Sequence, residues 1–402
     1  MLLSKLLPLP NALNEISKFQ VITEKEEISL KDGNKRVLAE DIYSYHNSPP
    51  FDKSAMDGFA VIAEDTFGAS QRNPKHFKVI DEIGAGSSSN KTIKNNEAIV
   101  IATGAPIPNG ANAVIMKEFT SLNGDDLEIQ SQVTPLENIS KTAEDINKGD
   151  KVLSSNTLIR PQELGLIASA GYSKINVYKK PKVKLIITGS ELVEPSKTLN
   201  APQIINSNQF ILASMIESTG AIVELIHVED DYETLKNVFM SIKNYDVVIT
   251  TGGTALSKGD LVVKLIDEVG DLVFHGISTR PGKPAAFGKI NNIPIFMLSG
   301  QPVAAMAQFD ILARKFLINL QGRNFEHKIV KRTSKVKIPS TLGRTDYIRA
   351  VADDEFARHV LNRGSGIIRS MVEANSFIII DENNEGVDEG DLVDVIFFNS
   401  MY

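Results

Sequence analysis

The chain has 402 residues, no cysteine and a formal net charge of −7. A length of that order predicts roughly two to four domains, and the missing cysteine excludes disulfides, zinc–thiolate sites and thiol nucleophiles. With 42% hydrophobic and 23% charged residues the chain has the balance of a globular protein with sizeable cores; the negative charge argues against a general nucleic-acid binder, and no apolar run reaches membrane-spanning length.

The N-terminal MLLSKLLPLP is apolar but short, without a basic leader or a cleavage site, so it is not expected to be a signal peptide, and the expected location is cytoplasmic. Residues 1–45 hold a helical pattern. Residues 46–140 are rich in Gly, Pro and short alternating runs (FAVIAED, FKVIDEIGAG, EAIVIATGAPIP, ANAVIMKEF), which predicts a β-dominated region. Within it, PPFDKSAMDGFAV (49–61) sets Phe51 and Met56 among charges and ends in Asp57-Gly58 before a strand. Asp-Gly reads either as a hairpin turn or as a turn that presents Asp57 to a partner surface. IATGAPIPNGANAVIMKE (101–118) places Thr103-Gly104 after a strand, where Thr103 is either a turn residue or a hydroxyl for a phosphate or a metal-bound water. Residues 141–178 carry a second helical pattern, PQELGLIASAG (161–171).

Residues 179–325 alternate strands and helices. VKLIIT (183–188), AIVELIHV (221–228) and DVVITT (246–251) read as strands. NSNQFILASMIEST (206–219, capped by Asn206 or Ser207), YETLKNVFMSIK (232–243) and a segment near 260–268 read as helices, followed by a hairpin at 284–298 and a helix near 302–318. Residues 326–402 return to β pattern in KVKIPS, DYIRAVA, FIIID and LVDVIFF.

In a layered α/β sheet ligands gather outside the carboxyl ends of the strands. The segments there are TGSEL, HVEDD, TTGGTALSKGD and LSGQP. Glycines after a strand admit phosphate to bare N–H groups, yet TTGGTALSKGD matches neither G-x-G-x-x-G nor the P-loop pattern, and it ends in a carboxylate. Nearby, STRPGKP sets Arg280 and Lys283 around a Pro-Gly turn. Acids and bases on one rim suit a metal ion plus an oxyanion, although any single acid after a strand is also a helix-cap candidate.

SAMDGFAV, IATGAPIPNGANAVIMKE, EDI (144–146), TGSEL, TGGTALSKGD, RPGKP and GSGIIRSMVEAN (364–375) occur in this order. That order resembles MoeA-type molybdopterin molybdenumtransferases, the family of the gephyrin E domain, over nearly the whole chain. The resemblance implies an α/β multidomain protein. A central layered α/β (MogA-like) domain at 179–325 would be joined by a β-rich inserted domain at 46–140 and a C-terminal β-barrel-like domain at 326–402. Residues 1–45 plus 141–178 would form an elongated discontinuous domain. It implies a homodimer in which Asp57 and Thr103 face the α/β rim of the other subunit, with adenylylated molybdopterin and molybdate as substrates, AMP released and Mg²⁺ bridging carboxylates and phosphates. Other proteins of molybdenum cofactor biosynthesis are further candidate partners.

Carried over by motif, the catalytic set is Asp57, Thr103, Asp145, Glu191, Asp230 and Asp260, with Glu191 and Asp260 toward Mg²⁺. Gly252, Gly253, Thr254, Ser257 and Lys258 would take pterin and phosphate, and Arg280, Lys283, Pro302, Arg349 and Ser365 would take molybdate. A tetrahedral dianion wants fixed cations and hydroxyl donors. The sequence departs from the family pattern at Ser140, at Ala143 (AED for GED), at Ala255, and at Ser299, Gln301 and Ala304 (LSGQPVA for LPGNPVS). These departures keep two alternatives in view, an adenylyltransferase-like activity on molybdopterin and a non-catalytic pterin- or molybdate-binding paralogue.

Overall fold

The computed structural model describes residues 6–253, 261–361 and 364–398. They divide into two units. One comprises Met1–Glu27, Lys35–Ala39 and Asn176–Tyr402, and the other Ile28–Asn34 and Glu40–Ile175. The larger unit begins with helix α1 (Leu9–Ser17), which follows Pro8 and carries Pro10 in its first turn, where a missing N–H leaves no helical bond unmade.

The smaller unit is built on six strands: β1 (Gly58–Val61), β2 (Lys75–Ile83), β3 (Glu97–Ile101), β4 (Ala113–Met116), β5 (Thr120–Asn123) and β6 (Asp126–Ile129). They pair in the order β4-β1-β3-β2-β6-β5. β1 is buried along its whole length because apolar clusters cover both faces, Phe59 and Val61 on one and Ala60 on the other. Gly58 is no hairpin turn. It opens β1, and a Cβ there would lie 1.9 Å from the Ile115 carbonyl oxygen of β4, so only glycine fits. Helix α2 (Pro161–Ser169) closes its first turn with Glu163, whose carboxylate accepts from the Arg160 N–H at 2.9 Å.

In the larger unit β7 (Lys182–Thr188), β8 (Ile222–Val228) and β9 (Val247–Thr251) precede β10 (Asp271–His275), β11 (Ala286–Ile290) and β12 (Ile293–Leu298). The order is β8-β7-β9-β12-β11-β10, parallel from β8 to β12 and antiparallel beyond. Helices α3 (Asn208–Ser218), α4 (Tyr232–Ser241) and α5 (Leu261–Val269) fall where the periodicity predicts them. Val183, Leu185 and Ile187 of β7 pack with α1 and α3 on one face, and Ile186 packs with α4 and α5 on the other. This two-sided burial explains why β7 reads as a continuous apolar run. The expected hairpin turns through Asn291 and Asn292, both at positive φ (50° and 65°), the geometry of the turn that matches strand twist. α6 (Pro302–Gln308) runs on through a π-helical stretch, Phe309–Arg314, into a last helical turn, Lys315–Asn319.

Beyond it, β13 (Ile329–Ser334), β14 (Thr345–Ala352), β15 (Phe356–His359), β16 (Ser376–Ile380) and β17 (Leu392–Phe397) close on themselves as β14-β15-β13-β17-β16, with β16 returning to β14. A short strand, Thr279–Arg280, leaves the α/β layer and pairs in parallel with β14, Arg280 opposite Asp346. The architecture is therefore the expected α/β multidomain one with a C-terminal barrel. The runs legible in the sequence do not include β5, β6, β10, β13 or β15, and of KVKIPS only Ile338–Pro339 is strand.

Candidate functional site

In the smaller unit the SAMDG and TGAP segments are stitched together by their backbones. The Ser54 N–H donates to the Ala105 carbonyl at 2.9 Å and the Gly104 N–H to the Ser54 carbonyl at 2.8 Å. This places Asp57 against Thr103, whose N–H and hydroxyl both donate to one Asp57 carboxylate oxygen, at 2.7 and 2.8 Å. The backbone donor first and the hydroxyl second hold the Asp57 carboxyl below its ordinary value, so it is a fixed anion. Asp145 is exposed and held by its backbone, the N–H donating to the Ser48 carbonyl at 3.0 Å. Its loop is pinned by Asp52, which accepts from Lys141 Nζ and from the Thr142 N–H and hydroxyl, all at 2.8 Å. Ala143, where the family pattern has glycine, sits at φ +61°.

The larger unit holds a cavity of about 910 Å³ at the carboxyl ends of β7, β9 and β12, within the size range of small-molecule sites. Glu191 and Asp230 line one part of it, and both are exposed. Neither is a helix cap. Asp231 caps α4 instead, accepting from the Thr234 N–H at 2.8 Å, and Glu191 sits in the turn after β7. Gly252 and Gly253 continue the wall. Gly252 lies at φ +97°, and a Cβ there would fall 2.4 Å from the Thr188 carbonyl. Thr254, Ala255, Ser257, Lys258 and Asp260 lie outside the described residues.

Arg280, Lys283, Pro302 and Ser365 line the same cavity. Lys283 is exposed and makes no ion pair among the described residues. Arg280 donates to Asp346, a fully buried carboxylate that also accepts from the Ser340 hydroxyl at 2.7 Å and has Arg344 Nε at 3.3 Å. Arg349 lines an adjoining hollow of about 140 Å³ shared with Arg280 and Ser365. It donates to the Gly364 carbonyl at 3.1 Å and to the Ser370 hydroxyl. The Val303 N–H donates to the Ser365 carbonyl at 3.0 Å, which draws the Pro302 and Ser365 segments together. The structure thus brings Glu191, Asp230, Gly252, Gly253, Arg280, Lys283, Pro302 and Ser365 to one cavity of the larger unit, with Arg349 beside it, and pairs Asp57 with Thr103 within the smaller unit.

Sequence reasoning missed Arg344, which lines the cavity with Arg280 and Lys283. It follows a loop glycine, and only the pairing of Thr279–Arg280 with β14 brings it to the site. Also missed were buried polar atoms on the cavity wall without a hydrogen-bond partner among the described residues: Thr188 Oγ1, Asn206 Nδ2, Asn208 Oδ1 and Thr279 Oγ1. Unpaired buried polar atoms are costly, and a polar ligand would satisfy them. Ala304 is buried on the same wall. Ser299 is buried too, its N–H donating to Gln308 Oε1 at 2.6 Å.

Residues 7–171 match the model of the MoeA N-terminal region (domains I and II), 184–319 that of a probable molybdopterin binding domain, and 331–398 that of the MoeA C-terminal region (domain IV). A Methanocaldococcus jannaschii protein named for molybdopterin biosynthesis is 38% identical, with 98% of each chain covered. The molybdopterin molybdenumtransferase of Bacillus subtilis is 34% identical, covering 97% of this chain and 94% of its own. The crystal structure of the molybdopterin biosynthesis MoeA protein from Pyrococcus horikoshii superposes with a TM-score of 0.82 at 34% identity, covering 98% of this chain and 100% of that one. Matched in its N-terminal, central and C-terminal regions and alongside its relatives over almost its entire length, the chain belongs to the MoeA family.

Proposed function

We infer that this chain is a molybdopterin molybdenumtransferase, which inserts molybdenum from molybdate into adenylylated molybdopterin and releases AMP. The observation that carries the reading is the division of one cavity between acids (Glu191, Asp230) and bases (Arg280, Lys283, Arg344). Of the three bases and the buried Asp346, the net charge is +2, the complement of a tetrahedral dianion. We assign molybdate to Arg280, Lys283, Pro302, Arg349 and Ser365, with Arg344 added. The adenylylated pterin goes to the strand ends at Gly252 and Gly253, with Thr254, Ser257, Lys258 and Asp260, which follow in sequence, assigned to the same ligand.

Glu191 and Asp230 are hard oxygen donors, and no group of three or more acidic, histidine or cysteine side chains is placed for a metal among the described residues. The residues that would hold a Mg²⁺ ion are Glu191 and Asp260, with Asp230 lining the same cavity. When bound it supplies charge neutralisation at the phosphoanhydride. The carboxylates of this chain orient the attacking water, while the cations hold the oxyanion still.

Asp57, Thr103 and Asp145 serve the α/β site of a second copy in a homodimer. The exposed Phe51 (44%) and Met56 (42%) beside Asp57 support that role, as apolar side chains suited to a protein surface. The domains on this reading are 1–45 plus 141–178, 46–140, 179–325 and 326–402.

The test is incubation with adenylylated molybdopterin, Mg²⁺ and molybdate while AMP release is followed. Molybdate-dependent release supports the transferase. Tight ATP binding without it supports the adenylyltransferase-like alternative, and pterin or molybdate binding without turnover supports the carrier.

A further inference from the structure

Gln308, at the end of α6, is fully buried. Its amide is spent on two loops that face the cavity. Oε1 accepts from the Ser299 N–H at 2.6 Å and Nε2 donates to the Gly282 carbonyl at 2.7 Å. Gly282 precedes Lys283. The Gln308 side chain also packs against Gly282, since a Cβ at that glycine would lie 2.8 Å from Gln308 Cγ. The Ser299-Gly300 segment is held in turn from the pterin side. The Thr251 hydroxyl donates to the Ser299 carbonyl at 2.7 Å, and Asn208 Nδ2 donates to the Gly300 carbonyl at 2.8 Å and to Thr251 Oγ1 at 3.2 Å. A continuous set of bonds thus runs from the end of β9 through Ser299 and Gln308 to the backbone that carries Lys283.

The Ser299 N–H is essential to this arrangement. The family pattern has proline there, which offers no donor. With serine at 299 the amide at 308 has a partner on each loop, and both of its polar ends are satisfied in a site without water access.

We propose that Gln308 is a positioning residue for the molybdate side of the site, fixing the 280–284 loop, and so Lys283, relative to the 299–302 loop. The proposal rests on the transferase reading. Gln308 touches no reacting atom, so its effect falls on molybdate rather than on the adenylylated pterin.

The experiment compares wild type, Gln308→Met and Gln308→Glu in the AMP-release assay, with thermal melting as a control. Methionine keeps the length of the side chain and removes both bonds. It should raise the KM for molybdate roughly tenfold or more, while kcat at saturating molybdate and the KM for adenylylated molybdopterin stay within about twofold. In Gln308→Glu an ionised carboxylate still accepts from Ser299 but repels the Gly282 carbonyl. A protonated one both accepts and donates, as the amide does. Burial raises a carboxyl pKa, so the molybdate KM of this variant should fall toward wild type between about pH 8 and about pH 6, relative to wild type at each pH.

If Gln308→Met does not fold, Gln308→Glu carries the test alone. A wild-type molybdate KM in either variant at the higher pH overturns the proposal, as does an equal rise in both substrate KM values. Failure of the wild-type protein to release AMP with molybdate present overturns the transferase reading instead.

Discussion

Replacing Lys283 by alanine should weaken molybdate binding and leave the fold alone. The two halves of that expectation come from different contacts. Lys283 is exposed, lines the cavity and pairs with no carboxylate among the described residues, so no buried acid loses a partner. Its charge is half of the +2 excess left after Asp346 is set against Arg280, Arg344 and Lys283. A unit charge about 4 Å from another contributes about 1 kcal/mol in water-like surroundings and about 4 kcal/mol at an effective dielectric of 20. A charge-assisted contact in a half-open site falls between, at roughly 1.5–3 kcal/mol, or about 10–100-fold in affinity.

Arg280→Ala is the contrasting perturbation. It removes one of two guanidinium partners from Asp346, which is 0% exposed, and so it should lower stability by about 1–3 kcal/mol as well as weaken the anion. Calorimetric titration of molybdate beside thermal melts of both variants separates the two effects. Wild-type molybdate affinity in Lys283→Ala would refute the charge argument, and the basic residues would then be holding loops rather than an anion.

Glu191→Gln should cut AMP release by roughly 10²-fold with molybdate affinity retained, the scale of losing one preorganised charge; unchanged turnover removes Glu191 from the machinery. Asp57→Asn should be inactive alone and regain part of the activity when mixed with Asp260→Ala, because a mixed dimer holds one intact composite site; dead mixed dimers would place the site within one chain. Asp52 is held at about 2 by Lys141 first, then by the Thr142 N–H and hydroxyl. Its folded value lies below the unfolded one, so its stabilisation is present above about pH 4 and is lost as pH falls toward about 2. Asp52→Asn should flatten that part of the pH–stability curve, and an identical acid limb in the variant would count against the assignment. Ala143→Gly should stabilise the protein by about 1 kcal/mol in denaturant unfolding, since relief of the φ +61° conformation outweighs the added chain entropy of glycine; a loss of stability would show that this loop is unstrained.

Much of the α/β unit is written in local pattern. The Val247-Val248-Ile249 run before Thr250-Thr251 reads as a strand buried on both faces, and the apolar runs of β11 and β12 on either side of Asn291-Asn292 read as a hairpin. The cap position of α3 falls to Ser207, whose own side chain makes no capping bond, and Asn206 supplies one instead, its Oδ1 accepting from the Gln209 N–H at 3.3 Å. The acids and bases of the cavity were legible as motifs placed after strands. Arg344 and Gln308 were not, for physical reasons. An arginine after a loop glycine and a glutamine within an apolar helix both read as solvent-facing polar residues. Only tertiary pairing shows that one reaches the cavity and that the other is sealed from water. The Asp57-Gly58 turn signal failed because a close strand approach demands glycine as strongly as a turn does.

The pairing of Thr279–Arg280 with β14 bears on how separable the parts of this protein are. Two residues that lie in the chain between β10 and β11 of the layered sheet pair instead as a strand of the neighbouring barrel, with Arg280 in register with Asp346. The cationic wall is thus not a portable piece of the α/β layer. Excised without the barrel, that layer would keep its acids and glycines, but Arg280 would lose its partner, and Arg344, Arg349 and Ser365 would be gone. The two halves of the cavity therefore depend on each other structurally, and a chimaera of relatives joined near residue 326 would have to keep both sides of the Arg280–Asp346 pair together.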